Sequence, residues 1–222
     1  MKLSQLRTQF RSDADDVVAN PYLFADADVT MWLNEAETEA ALRADLLHDS
    51  TTADVCEIAV VAGTSAYSLH AAVNRVTYAT FTITDASCPT VLRLIDRIEL
   101  DRIRPDWRTL QQPPEHLIVE AGKARLGCIP SDDGVLAIEC YRAPLVAMAA
   151  DDDVPEIMPA SLHRHLVQWA LHRAYSRPDT ETYDAGRAKA ALQEFEHFFG
   201  PRPDAAMKQA FEARPQFNKA WW

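Results

Sequence analysis

Seven histidines, four cysteines and 33 Asp and Glu residues are the side chains of this 222-residue chain that could carry chemistry. Their spacing decides which chemistry. His163, His165 and His172 share one helix-like stretch, with Trp169 between the last two. A helical zinc site asks for ligands at i and i+4 with a carboxylate or a third histidine nearby. His163 and His165 stand two apart and point to different sides of a helix, and His165 and His172 stand seven apart. They read as polar or interfacial histidines, and no metal is expected. Cys56, Cys88, Cys128 and Cys140 form no Cys-x-x-Cys pair, which predicts reduced, mostly buried thiols.

Catalytic carboxylates must converge in environments that split their pKa values. Asp151-Asp152-Asp153 reads instead as a solvated linker, and Asp132-Asp133-Gly134 as a hairpin turn. There is no Gly-x-Ser-x-Gly elbow, Ser-x-x-Lys pair, Walker loop or Gly-x-Gly-x-x-Gly. Six scattered glycines cannot build a phosphate cradle. No catalytic or cofactor-binding residue is assigned, and the chain is not expected to be an enzyme. Trp107, in Pro-Asp-Trp-Arg, could stack a sugar or base, but the favoured reading is a plug at the open end of a small β module. Arg102, Arg104 and Arg108 make its loop locally basic.

Hydrophobic residues at 48% and charged residues at 25% describe a folded chain with a real core. With 22 Lys and Arg against 33 Asp and Glu, the net charge is −11. Electrostatic gripping of nucleic acid by the whole molecule is therefore excluded. No segment approaches the ~20 apolar residues of a membrane span, and MKLSQLRTQF lacks the pattern of a signal peptide. A cytoplasm-like compartment, or packaging from one, is expected.

The elements that must position these residues change period twice. Helical spacing predicts a short helix over 2–11, with Leu3, Leu6 and Phe10 on one face. Asn20-Pro21 signals a turn. A longer helix over 28–47 follows, capped by Asp26 or Asp28 and striped by Val29, Trp32, Leu33, Ala36, Ala40, Arg43 and Leu47. Strand-like runs then cover 56–61, 66–69, 75–84, 91–99, 116–120, 125–129 and 135–141. Two more helices are predicted, over 159–176 and 179–199, with Gly200 as a C-terminal cap.

The fold class that follows is α+β. A discontinuous α-helical bundle domain, residues 1–50 and 147–200, carries an inserted antiparallel β-sandwich or barrel-like domain, residues 51–146. Residues 201–222 form an extended C-terminal docking tail, with four Lys and Arg against two Asp and Glu. Its candidate interface residues are Phe211, Arg214, Phe217, Lys219, Trp221 and Trp222, because exposed aromatic clusters are association sites.

Several segments resemble a known family. Residues 24–37, Phe-Ala-Asp-Ala-Asp-Val-Thr-Met-Trp-Leu-Asn-Glu-Ala-Glu, are similar to the first long helix of tailed-phage head–tail adaptor, or connector, proteins. Residues 155–175, followed by 179–184 and 195–200, resemble that family's closing helical pair. Asp106-Trp107-Arg108, Pro113-Pro114, Ile129-Pro130 and Tyr141-Arg142-Ala143-Pro144 resemble the β insertion of its larger members. The resemblance spans about residues 22–200 and implies a non-enzymatic, twelve-fold ring of identical copies in the virion neck, assembled in the host cytoplasm. It implies the portal protein and further neck or tail proteins as partners, with DNA passing through the channel without sequence-specific binding. A terminal extension in this family commonly clamps the portal, so the aromatic tail is expected to dock on the portal or on an adjacent subunit, the alternative being that it folds back onto the protein's own helices. The rival readings are another neck or tail-completion (stopper-like) protein, and a carbohydrate-binding or hydrolytic module on the β insertion.

Overall fold

The computed structural model describes residues 1–19, 21–84, 86, 88–178 and 181–202. Its helices are α1 (Leu3–Ala14), α2 (Asp26–Ala44), α3 (Ala53–Cys56), α4 (Arg97–Ile103), α5 (Leu166–Tyr175) and α6 (Ala185–Phe199). Its strands are β1 (His48–Asp49), β2 (Glu57–Val60), β3 (Ala66–Ser68), β4 (Val73–Ile83), β5 (Thr90–Val91), β6 (Arg93–Leu94), β7 (His116–Glu120), β8 (Lys123–Leu126) and β9 (Gly134–Arg142). The described residues fall into two compact units, Met1–Leu47 with Ala143–Arg202, and His48–Arg142.

In the helical unit the predicted stripes are real. Leu3, Leu6 and Phe10 of α1 are fully buried, as are Val29, Leu33, Ala36 and Ala40 of α2, with Trp32 nearly so. They meet Leu166, Val167, Ala170 and Ala174 of α5 and Phe195 and Phe199 of α6 in a single core. Phe24 stands edge-on to three aromatics, with centroids 5.5 Å from Phe10, 6.0 Å from Trp32 and 6.3 Å from Tyr175.

Helix ends depart from the sequence expectations. The residue before α2 is Ala25, with no side-chain cap. Asp26 is instead spent on Arg11, at 2.6 Å. Asp28 lies inside the first turn, where its charge suits the helix dipole. The helix expected over 159–176 opens as a 3-10 turn, Ala160–His165, before becoming α5. The helix expected from residue 179 begins at Ala185, because the Asp184 carboxylate accepts hydrogen bonds from the Gly186 and Arg187 N–H groups. Asp179 and Thr180 lie outside the described residues, as does Asn20. Gly200 ends α6 at φ 82°, a conformation that favours glycine.

Asp151-Asp152-Asp153 is not a plain linker. The carbonyls of Asp153 and Asp151 accept the Leu3 and Ser4 N–H groups, so this turn closes the open start of α1. The Asp153 carboxylate in turn accepts the N–H groups of Ala149 and Ala150, both at 2.7 Å.

The β unit has two sheets. One runs β1-β9-β4-β5, with β2 also on β9, and the other runs β3-β8-β7-β6. The pairs are antiparallel except β6 with β7, which is parallel, and neither sheet closes into a barrel. Both sheets contribute to one core: Val76, Phe81, Leu136 and Ile138 from the first, and Leu117, Ala124 and Leu126 from the second. The strand expected over 91–99 breaks after Leu94. Asp96 accepts a hydrogen bond from the Ile98 N–H and caps α4. Asp132-Asp133-Gly134 joins β8 to β9 in different sheets, so it is a crossover and not a hairpin turn.

Gly134 fixes how closely β9 approaches β4. A Cβ there would lie 2.3 Å from the Thr82 carbonyl oxygen and 2.7 Å from the Phe81 ring. Overpacking of this kind costs about 1–3 kcal/mol. Gly134→Ala is therefore expected to lower the unfolding free energy by that amount, seen as a lower urea midpoint in intrinsic fluorescence and circular dichroism.

Candidate functional site

The residues that invited a chemical reading are engaged in structure. His163 is buried, with Nδ1 2.8 Å from the Met1 nitrogen and Nε2 2.8 Å from the Ile157 carbonyl oxygen. A carbonyl only accepts, so Nε2 carries the proton and Nδ1 receives the hydrogen bond from the amine. Burial pushes the His163 imidazole below its ordinary pKa. His165 stacks on Phe198 with centroids 3.4 Å apart, and His172 Nδ1 lies 3.0 Å from the Ala188 carbonyl oxygen. Among the described residues no three His, Cys, Asp or Glu side chains converge as metal ligands would.

Trp107 has no accessible surface. It packs with Ile95, Leu100 and Ile118, and its indole N–H donates to Asp101 at 2.7 Å. The guanidiniums of Arg108 and Arg125 lie 4.4 and 4.8 Å from its ring. The plug reading holds, and the stacking platform does not. The Asp101 carboxyl is held down to about 2, first by its hydrogen bond from Arg108 and then by that from Trp107.

The cysteines are unpaired: Cys56, Cys128 and Cys140 are buried and Cys88 is exposed. Burial pushes the Cys128 thiol up to about 11 and the Cys140 thiol to about 12, leaving both protonated and poorly nucleophilic at neutral pH. Asp49 is a structural acid. Burial would raise its pKa, but the N–H groups of Thr51 and Thr52, the Arg142 guanidinium and the Thr52 hydroxyl hold it well below the carboxylate range.

With the polar chemistry used internally, the outward surfaces become the candidates. The loop between α1 and α2 shows Val17, Val18 and Leu23 to solvent, Val18 at 78% exposure. Its base is clamped by buried Arg11, whose guanidinium reaches Asp16 and Asp26, each at 2.6 Å, and the Phe24 carbonyl oxygen at 3.1 Å. Asp16 accepts the N–H groups of Leu23 and Phe24 from the far side of the loop. An apolar loop held rigidly at its base is suited to protein contact, because little ordering entropy is lost on docking. A groove of about 940 Å³ runs along α2, with Met31, Thr38 and Glu39 on one wall, Trp169 and Arg173 of α5 on the other, and Met148 between.

The sequence-predicted interface residues Phe211, Arg214, Phe217, Lys219, Trp221 and Trp222 lie outside the described residues. The last described residue, Arg202, stands 3.4 Å from Glu39 at the groove. Neither the groove nor the apolar loop was marked by sequence reasoning. The adjacent Val17-Val18 pair is the sequence signal for the loop, standing just before the Asn20-Pro21 turn.

Among the described residues of the helical unit, Glu37 is the carboxyl pushed furthest above its ordinary pKa. It is buried on α2, its Oε1 accepts the N–H groups of Glu156 and Ile157, and its pKa rises from 4.5 to about 7. Burial is the main cause, the two hydrogen bonds oppose it, and the nearby Glu156 charge adds to it. The folded state thus binds this proton more tightly than the unfolded chain. Its contribution is complete below about 4.5 and is lost as pH rises through about 7. Glu37→Gln keeps an accepting oxygen and removes the titration. At pH 8 the variant is expected to be more stable than the parent by on the order of 2 kcal/mol. That gap should close by pH 4.5 in urea unfolding curves.

A family model described as SU10 adaptor protein matches residues 1–216. No curated protein matches the chain.

Proposed function

Because the chain belongs to the SU10 adaptor protein family, a phage head–tail adaptor family, we propose that it forms a ring beneath the portal, continues the DNA channel and offers the attachment surface for the tail. The observation that carries this reading is the match over residues 1–216, which takes in both compact units and most of the C-terminal tail. In this reading the protein is structural and not enzymatic, and the ring has twelve copies of the chain. The β unit is an insertion in the helical body.

Two further features support it. His163, His165, His172, the buried cysteines and the Trp107 loop are bound up in packing and hydrogen bonds, as a scaffold requires. The net charge of −11 suits a wall past which DNA must slide, since a basic wall would retain phosphates. Among the described residues no helix is long and apolar enough to cross a membrane.

The tail from Pro201 supplies the portal contact, with Trp221 and Trp222 as anchors and Phe211, Arg214, Phe217 and Lys219 beside them. Large aromatics with flanking arginine are the residue types that dominate binding energy at interfaces. Deleting residues 213–222 is expected to abolish binding to the cognate portal in pull-down and sedimentation assays, while circular dichroism stays unchanged. Electron microscopy of the full chain with its portal should show a coaxial ring. Full-strength portal binding by the truncated protein would reject the tail contact, and an absent ring would reject the adaptor placement.

A further inference from the structure

We infer that residues 145–157 form a proton-operated latch within the helical unit: the stretch stays docked on α2 while Glu37 carries a proton and undocks as one piece far more often once that proton is lost. This concerns the single chain and does not depend on the ring reading.

The stretch has little of its own to keep it closed. It contains no helix or strand, and of its thirteen residues only Met148, Pro155 and Ile157 are buried. Segments with so few buried apolar contacts open locally, well below the cost of global unfolding. Internal ties make it one piece. Glu156 Oε1 accepts the Leu145 and Val146 N–H groups, and the Asp153 carboxylate accepts those of Ala149 and Ala150. Carboxylates of the second half thus hold the backbone of the first.

Its attachment to α2 runs through two side chains, Asn34 on Met148 and Glu37 on Glu156 and Ile157. Its hold on α1 is the pair of carbonyls that accept the Leu3 and Ser4 N–H groups, with Arg7 on the exposed Asp151. Asn34 does not titrate. Glu37 is 1% exposed, and it meets two N–H donors but no paired cation among the described residues. The neutral acid keeps Oε1 as the acceptor for both donors. The anion recovers its lost hydration only when the stretch leaves.

The charged groups on the neighbouring elements leave this sign intact. The Glu156 carboxylate, on the stretch itself, adds to the cost of the anion. His163 of the 3-10 turn holds the Ile157 carbonyl and is pushed below its ordinary pKa by burial, so its protonation weakens docking as pH falls, the opposite sense. Arg11 of α1 is engaged by Asp16 and Asp26, Arg173 of α5 by Glu35, and Glu196 of α6 faces Arg43. Opening would free the first N–H groups of α1 and remove Met148 from the groove, so pH sets how often both are exposed.

The test is amide hydrogen exchange of the full chain, resolved to single residues by mass spectrometry and corrected for intrinsic rates. Protection at the Ala149, Ala150, Glu156 and Ile157 N–H groups is expected to fall about thirty- to a hundredfold from about pH 5 to about pH 8, levelling above about 7. At every pH it should lie at least about tenfold below that of Ala170 and Leu171 in the core of α5. A flat or rising profile would overturn the role of the proton. Protection equal to that of α5 would overturn the latch by making the opening global. Glu37→Gln keeps an accepting oxygen and should abolish the fall, whereas a variant that falls like the parent would assign the proton elsewhere and sink the inference. If the variant does not fold, the parent profile and its comparison with α5 decide alone.

Discussion

Two polar side chains on α2 hold the returning chain in place, and the helical unit depends on them. The Asn34 amide donates to the Met148 carbonyl oxygen at 3.0 Å and accepts the Met148 N–H at 2.9 Å. One turn further on, Glu37 accepts the N–H groups of Glu156 and Ile157. Between them they fix the stretch that brings α5 and α6 back onto α1 and α2. Neither pair of helices could bury its stripe alone, since Trp32, Phe10 and Phe24 on one side need Tyr175, Leu166 and Phe195 on the other. A short apolar contact would have allowed that stretch to slide. Paired backbone hydrogen bonds to Asn34 set one register, and an unpaired amide in the same place would cost about 1–3 kcal/mol.

The stretch does more than bridge. Its turn at Asp151 and Asp153 satisfies the first N–H groups of α1, and the Ile157 carbonyl orients His163, which reaches Met1. Helix start, buried histidine and buried carboxylate are thus three readings of one docking event. That linkage explains why the acids and histidines look like chemistry in the sequence and behave as joinery in the fold. The β unit solves a similar problem with Asp49, which gathers Thr51, Thr52 and Arg142 where the chain passes from β1 to β2, both paired to β9.

Period and composition were enough to read the α+β class, the buried faces of α1 and α2, and β7 to the residue. They were enough because those elements bury one continuous face. The strand expected over 91–99 failed because alternating Val91, Arg93 and Ile95 mimic a strand while Asp96 and Glu99 three residues apart signal a helix start. Local capping won. The last helix starts later than expected because Asp184 caps it, accepting the Gly186 and Arg187 N–H groups. The role of Asp151 to Asp153 was not legible, because its partners Leu3, Ser4 and Arg7 lie more than 140 residues away. Trp107 was legible as a plug because a large aromatic on a small β module is usually needed to close its core, and it is fully buried against Ile95, Leu100 and Ile118. The groove was hidden because it belongs to no motif: it forms where α2, α5 and the Met148 turn meet.

Acidity is the property whose meaning changes most once the chain is folded. Of the net −11, most could have been a single negative face. The structure instead ties part of the gross acidity into specific pairs, Asp16 and Asp26 on Arg11, Asp49 on Arg142, Asp101 on Arg108, Glu35 on Arg173 and Glu39 on Arg43, which leave the net charge nearly unchanged. Charges paired at such distances contribute little to a long-range field, and salt at physiological strength screens the remainder beyond about 8 Å. In the proposed ring, any effect on passing DNA would then come from unpaired carboxylates close to its path, repeated copy by copy. A single subunit would supply a weak repulsion. Only repetition around a closed assembly would turn it into a uniform wall, so in the proposed ring the charge would act only when copies stand side by side.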